Sequence, residues 1–63
     1  MDAQRQGAFL RIDELCIRVD TITAFQRIDN VVTIWFAYGD KTNVIKFPDE
    51  TGELFVAIQG ALA

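Results

Sequence analysis

Chemistry in this chain would have to start from very few side chains. Cys16 is the only thiol, and there is no His and no Ser in 63 residues. Strand-like alternation places Cys16 on the same side as Arg11 and Arg18. Guanidinium groups favour the thiolate form of a neighbouring cysteine, so a nucleophilic Cys16 is chemically reasonable. It has no base and no resolving cysteine to work with, and an incidental surface or interface thiol is the simpler assignment. Ser–His–acid and Cys–His arrangements cannot be assembled from one copy or from many. The usual Cys/His sites for zinc or iron lack their ligands, so neither a metal nor a cofactor is expected. Asp49, Glu50 and Glu53 could suggest a weak cation site, but helix capping explains them better. Carboxylates such as Asp20 or Glu53 with Tyr38 or a lysine could run acid–base chemistry, yet no spacing singles out a pair. The expectation is a protein that is not an enzyme.

Recognition is the remaining possibility. Arginine forks suit phosphates and carboxylates, and aromatic faces suit nucleobases or other rings. Arg11, Arg18, Arg27, Trp35, Tyr38 and Lys46 are therefore the candidate ligand-binding residues. Trp35 with Lys46, Gln26 and Thr33 would make a stacking platform, although a core or interface tryptophan is the plainer reading.

Six basic and nine acidic residues give a net charge of −3. That balance argues against a nucleic-acid partner, which needs a basic face. Each arginine also has an acidic neighbour close in sequence, so the arginines read as salt-bridged or solvated. The longest apolar run, Ile34 to Tyr38, is far too short to span a bilayer, and the polar first seven residues lack the apolar stretch of a signal peptide. With a lone cysteine, a cytoplasmic protein is expected.

The elements that must position these residues can be read from periodicity. Phe9 to Ile12 and Leu15 to Val19 alternate around Asp13-Glu14, with Leu10, Ile12, Leu15, Ile17 and Val19 on one side. A second unit runs from Ile22 to Ile28, turns at Asp29-Asn30, returns from Val31 to Tyr38, turns again at Gly39-Asp40, and continues to Phe47. Tight turns would oppose Phe25 to Ile34, Trp35 to Val44, Ile34 to Ile45 and Val32 to Phe47. After Pro48 the period becomes helical, with Asp49 expected as the N-cap and a stripe of Leu54, Phe55, Ala57, Ile58, Ala61 and Leu62. The predicted fold is α+β: a small antiparallel sheet of four to five strands with one C-terminal helix packed on one face. Residues 1–7 are expected to be a flexible N-terminal segment, and 8–63 a single domain.

The stretch from Asp20 to Leu62, with Asp29-Asn30-Val31-Val32-Thr33-Ile34, Gly39-Asp40-Lys41 and an acidic helix start, is similar to short bacterial β-sheet-plus-helix proteins. These include the flagellar swarming-motility type. The likeness implies the same architecture and carries no site.

Composition then becomes informative. The chain is 51% hydrophobic, and one helix cannot cover two apolar sheet faces. The face of Phe25, Ile34, Phe36, Ile45 and Phe47 is the natural partner of the helix. The other face, with Ile22, Ala24, Val31, Trp35, Ala37 and Val44, is left to serve as an oligomer or partner interface. The expected function is a small homo-oligomeric binding or interaction protein that uses this face for self-assembly or for another protein. The alternative is a sequestering protein for a small anionic or nucleotide-like ligand, with pockets at subunit interfaces, as small phage proteins often are.

Overall fold

A computed structural model describes residues 1–63. It contains six strands, β1 (Ala3–Gln6), β2 (Phe9–Ile12), β3 (Leu15–Arg18), β4 (Ile22–Ile28), β5 (Val31–Tyr38) and β6 (Lys41–Pro48), followed by helix α1 (Glu53–Leu62). The strands form two three-stranded antiparallel sheets, β1-β2-β3 and β4-β5-β6. The α+β class is as expected, but a single sheet of four to five strands is not what forms. Between β3 and β4 a 3-10 turn at Val19–Thr21 ends the first sheet. Thr21 Oγ1 donates to the Arg18 carbonyl at 2.7 Å, and Arg18 pairs with Asp20 at 3.2 Å. That local closure redirects the chain, so the first three strands fold onto the meander instead of extending it.

Residues 3–6, expected within a flexible segment, are β1. Ala3 pairs with Ile12 and is itself buried. The core joins both sheets and the helix: Leu10, Ile12 and Ile17 from the first sheet, Val32 and Ile34 from β5, and Leu54 and Ile58 from α1. The apolar face of the meander is thus covered by the helix and the first sheet together. Only ten residues are buried, so each carries much of the stability.

Turn chemistry fixes the registers. Asp29 and Asn30 both adopt left-handed φ, 52° and 63°, as a primed two-residue hairpin turn requires, and Gly39 has φ 65°. The facing pairs expected from these turns all form: Phe25 with Ile34, Val32 with Phe47, Ile34 with Ile45, and Trp35 with Val44. Asp13-Glu14 also closes as a tight two-residue connection, because Ile12 pairs directly with Leu15. Asp13 takes φ 53°, a cost for a non-glycine residue, and the Arg11 Nε–H donates to its carbonyl at 2.9 Å.

The helix buries Leu54 and Ile58, half-buries Phe55, Ala57, Ala61 and Leu62, and exposes Glu53, Val56 and Gln59. Its 3.6-residue stripe is the one the sequence specifies. Phe55 packs on Phe25 with ring centroids 5.6 Å apart and planes tilted by 55°. No helix is long and apolar enough to cross a membrane.

Candidate interaction face and adjoining cleft

Cross-strand partners share a sheet face, so the register assigns each side chain of the meander. The face turned away from the helix carries Ala24, Gln26 and Ile28 from β4, Val31, Thr33, Trp35 and Ala37 from β5, and Thr42, Val44 and Lys46 from β6. One row runs Ala24–Trp35–Val44, and the next runs Gln26–Thr33–Lys46. Five of the six residues expected at an interface therefore share one face. Ile22 does not. The pairing jumps from Ile22–Phe36 to Ala24–Trp35, making Thr23 an extra residue in β4. Such a bulge shifts the alternation by one, and Ile22 turns inward to pack against the core beside Phe36. Thr23 Oγ1 donates to the Trp35 carbonyl at 3.3 Å, fixing the bulge to the centre of the sheet.

The helix and the core of the first sheet pack on the opposite face. Val44 is 50% exposed and Ile28 56%, while Trp35 lies half-buried among its neighbours. Thr33 is buried there although polar, because it sits on the central strand between longer Gln26 and Lys46 side chains. The face is thus an apolar row beside a polar one, which is what a specific contact surface requires.

The candidate ligand residues are mostly dispersed. Arg27 points to the core side, at the end of the meander, where it organises the start of α1. Its Nη2 donates to the carbonyls of Asp49 at 2.8 Å and Glu50 at 3.2 Å and to Asn30 Oδ1 at 2.9 Å. Its Nε lies 3.4 Å from Asp49 Oδ2. A guanidinium so committed is a structural brace rather than a free anion receptor.

Asp49 caps the helix from further back than expected. The residue at the N-cap position is Gly52, with φ 84°. The Asp49 carboxylate accepts from the Leu54 amide at 3.1 Å and the Phe55 amide at 3.0 Å, filling the role of an N-cap side chain. Burial pushes its carboxyl upward, but the Phe55 and Leu54 amides and the Arg27 charge outweigh that and hold it below the usual range.

Arg11 lies on the outer surface of the first sheet with Asp2, Gln4 and Asp13, far in topology from Trp35. Lys46 stays with Trp35 on the open face. Arg18 and Tyr38 do come together, in a cleft of about 250 Å³ along β3 where the end of β5 passes. Phe9, Cys16, Thr21 and Phe36 are among the other lining residues. The sequence reading missed Phe9, although its signal was available: it is a large apolar residue on the polar side of its hairpin, paired with Arg18. Cys16 is exposed, and the Arg18 guanidinium beside it is drawn to Asp20, which lowers the Asp20 carboxyl below its ordinary range. No group of three or more metal-ligating side chains gathers anywhere.

No protein-family model, curated protein or solved structure matches this chain. Its function must be argued from its own surfaces. Chief among them here is the side of the meander turned away from the helix.

Proposed function

We propose that this protein is a non-enzymatic interaction module, acting in the cytoplasm, whose Trp35 face binds a second copy of the chain. The observation that supports it is the sidedness of β4-β5-β6. Helix α1 and the first sheet pack on one face, leaving Ala24, Val31, Trp35, Ala37 and Val44 outside the core, with Ala24 and Val44 exposed and Val31, Trp35 and Ala37 half-buried. Desolvating such a row is favourable at about 25 cal/mol per Å² of apolar surface, which is the ordinary driving force of association. Light scattering at micromolar concentration tests the reading. A mass above that of one 7.1 kDa chain is expected, and a monodisperse monomer would overturn it. Trp35→Glu is expected to lower the assembled mass without loss of secondary structure, because Trp35 is not part of the core.

A second reading, sequestration of a small ligand, is favoured by one observation: Arg18, Tyr38 and Phe36 converge on the cleft along β3. An aromatic anion is the chemical class that fits. A thermal-shift screen with nucleotides should raise the melting temperature, and Arg18→Ala should remove the effect. No shift at millimolar nucleotide would eliminate this reading.

A further inference from the structure

The cleft along β3 opens where two strands lie near each other without pairing. β3 is an edge strand of the first sheet, and β5 outruns β4 in the second. Pairing of β5 with β4 stops at Ile22–Phe36, while its pairing with β6 continues to Tyr38–Lys41. Ala37 and Tyr38 therefore have a strand on one side only, and β3 bounds the space on the other side, about 250 Å³.

The lining is mostly apolar, with buried Ile17 and half-buried Leu15 and Phe36 forming its less accessible part. Among the aromatic residues of the chain only Phe9 and Tyr38 are exposed, and both stand on this one cleft. Rings left in water are where a planar ligand gains most by stacking, since it desolvates two apolar surfaces at once. Arg18 is the only charged residue on the cleft wall. The Asp20 carboxylate accepts from its Nε and Nη2, both at 3.2 Å, and its carbonyl accepts from the Thr21 hydroxyl at 2.7 Å. The guanidinium is thus held in orientation, with Nη1 left for a ligand.

We infer, on the reading of this cleft as a ligand site, that it takes a planar aromatic ring carrying a single anionic group, with the ring against Phe9 and Tyr38 and the anion on Arg18 Nη1. Three observations limit the charge. One guanidinium serves the cleft, Asp20 already neutralises part of it, and the chain as a whole carries −3. A first anionic group gains a charge-assisted hydrogen bond from Nη1. A second or third finds no further cation on the cleft wall and meets the repulsive field of an acidic protein. Size agrees, because about 250 Å³ lies below the roughly 300–1,000 Å³ of pockets that enclose drug-sized ligands, so a polyphosphate tail would project into solvent.

Cys16 supplies the readout. It lines the cleft, is exposed and is the only thiol, so a small thiol reagent reaches it without unfolding and a bound ring should slow that reaction. Adenosine, AMP and ATP present the same ring with increasing charge, and magnesium-free buffer keeps that charge unscreened by metal. A ligand at about twice its dissociation constant should slow the modification roughly threefold. AMP is expected to bind about tenfold more tightly than adenosine, and ATP no more tightly than AMP. Arg18→Gln should bring AMP to the level of adenosine and leave adenosine unchanged, each compared with the ligand-free rate of the same variant. Tyr38→Ala should weaken all three alike. Both side chains are exposed and outside the core, and the wild-type series needs neither variant.

Protection that tightens from AMP to ATP, or that is equal for adenosine and AMP, would overturn the single-anion assignment while leaving the cleft a ligand site. A nucleotide that raises the melting temperature without protecting Cys16 binds elsewhere, which would overturn the assignment to this cleft but not sequestration itself. Neither protection nor a thermal shift would remove the sequestration reading and the assignment together.

Discussion

Asp49 concentrates more structural consequence than any other polar residue. Its carboxylate takes the Leu54 and Phe55 amides in the first turn of α1, its amide donates to the Asn30 carbonyl at 2.8 Å, and its own carbonyl receives Arg27. The turn between β4 and β5, the loop after β6 and the helix start are thus tied at one buried residue. The pH consequence has a definite sign. A carboxyl held lower in the folded chain than its ordinary 3.8 contributes stability that is fully present above about that pH. The contribution drains away as pH falls below 3.8 through the lower folded value. Asp49→Asn keeps the shape but loses the charge and one strong acceptor. It is expected to lower the melting temperature at pH 7 by several degrees and to flatten the acid limb of the stability curve. Thermal melts by circular dichroism between pH 2.5 and 7 would check this, and an acid limb parallel to the wild type would refute it. Gly52 is required next to this cap for its backbone angle alone. A Cβ there would meet only the Arg27 guanidinium, at an ordinary 3.8 Å.

At the scale of elements, the first sheet is part of the core and not an appendage to it. Leu10 and Ile12 are fully buried beneath it, and β1 and β2 run against α1. Arg5 of β1 also reaches the end of the helix, where its Nη1 donates to the Ala61 carbonyl at 3.4 Å. Leu10→Ala should therefore cost about 2–5 kcal/mol, as for other fully buried leucines, and should unfold the meander together with the first sheet. Val56→Ala, on the exposed side of α1, should stay within about 0.5 kcal/mol. Urea titration followed both by tryptophan fluorescence, which reports from Trp35 in the meander, and by far-ultraviolet dichroism would compare them. Two separated transitions in Leu10→Ala would mean that the sheets fold independently.

At the scale of the molecule, the surplus of apolar surface is a matter of composition, not of loose packing. The radius of gyration is 10.9 Å, close to the roughly 10.6 Å expected for a compact chain of this length. The accessible surface is 4260 Å², near the roughly 4,100 Å² of a folded monomer of this mass. A chain that is already compact can hide Trp35, Val44 and their neighbours only against another molecule. Association linked to folding makes stability depend on concentration. The melting temperature is accordingly expected to rise when protein concentration is increased a hundredfold, and this rise should vanish in Trp35→Glu. A concentration-independent midpoint in the wild type would count against assembly.

The helix stripe, the turn positions and the facing pairs of the meander were legible because each depends on local rules. Pro48 ends one period and begins another, Asp29-Asn30 and Gly39 tolerate the φ values their turns need, and a tight turn counts its own register outward. The position of Ile22 was not legible, because one extra residue at Thr23 reverses the side of everything before it, and the alternation itself carries no mark of the insertion. Nor was β1, a polar strand whose only buried residue is Ala3 and whose pairing is decided by what Ile12 needs beside it. The sequence by itself determined a helix after Pro48, a meander with two apolar faces, and an inventory without His or Ser from which no Ser–His–acid or Cys–His constellation can be assembled. Only the tertiary structure decided that the first hairpin folds over the meander as a second sheet, that Arg27 is spent on the helix start, and that Ile22 turns inward at the Thr23 bulge. Those outcomes turn on long-range competition for a small core, where a corner of three residues chooses which surface is buried, and no local pattern encodes that choice.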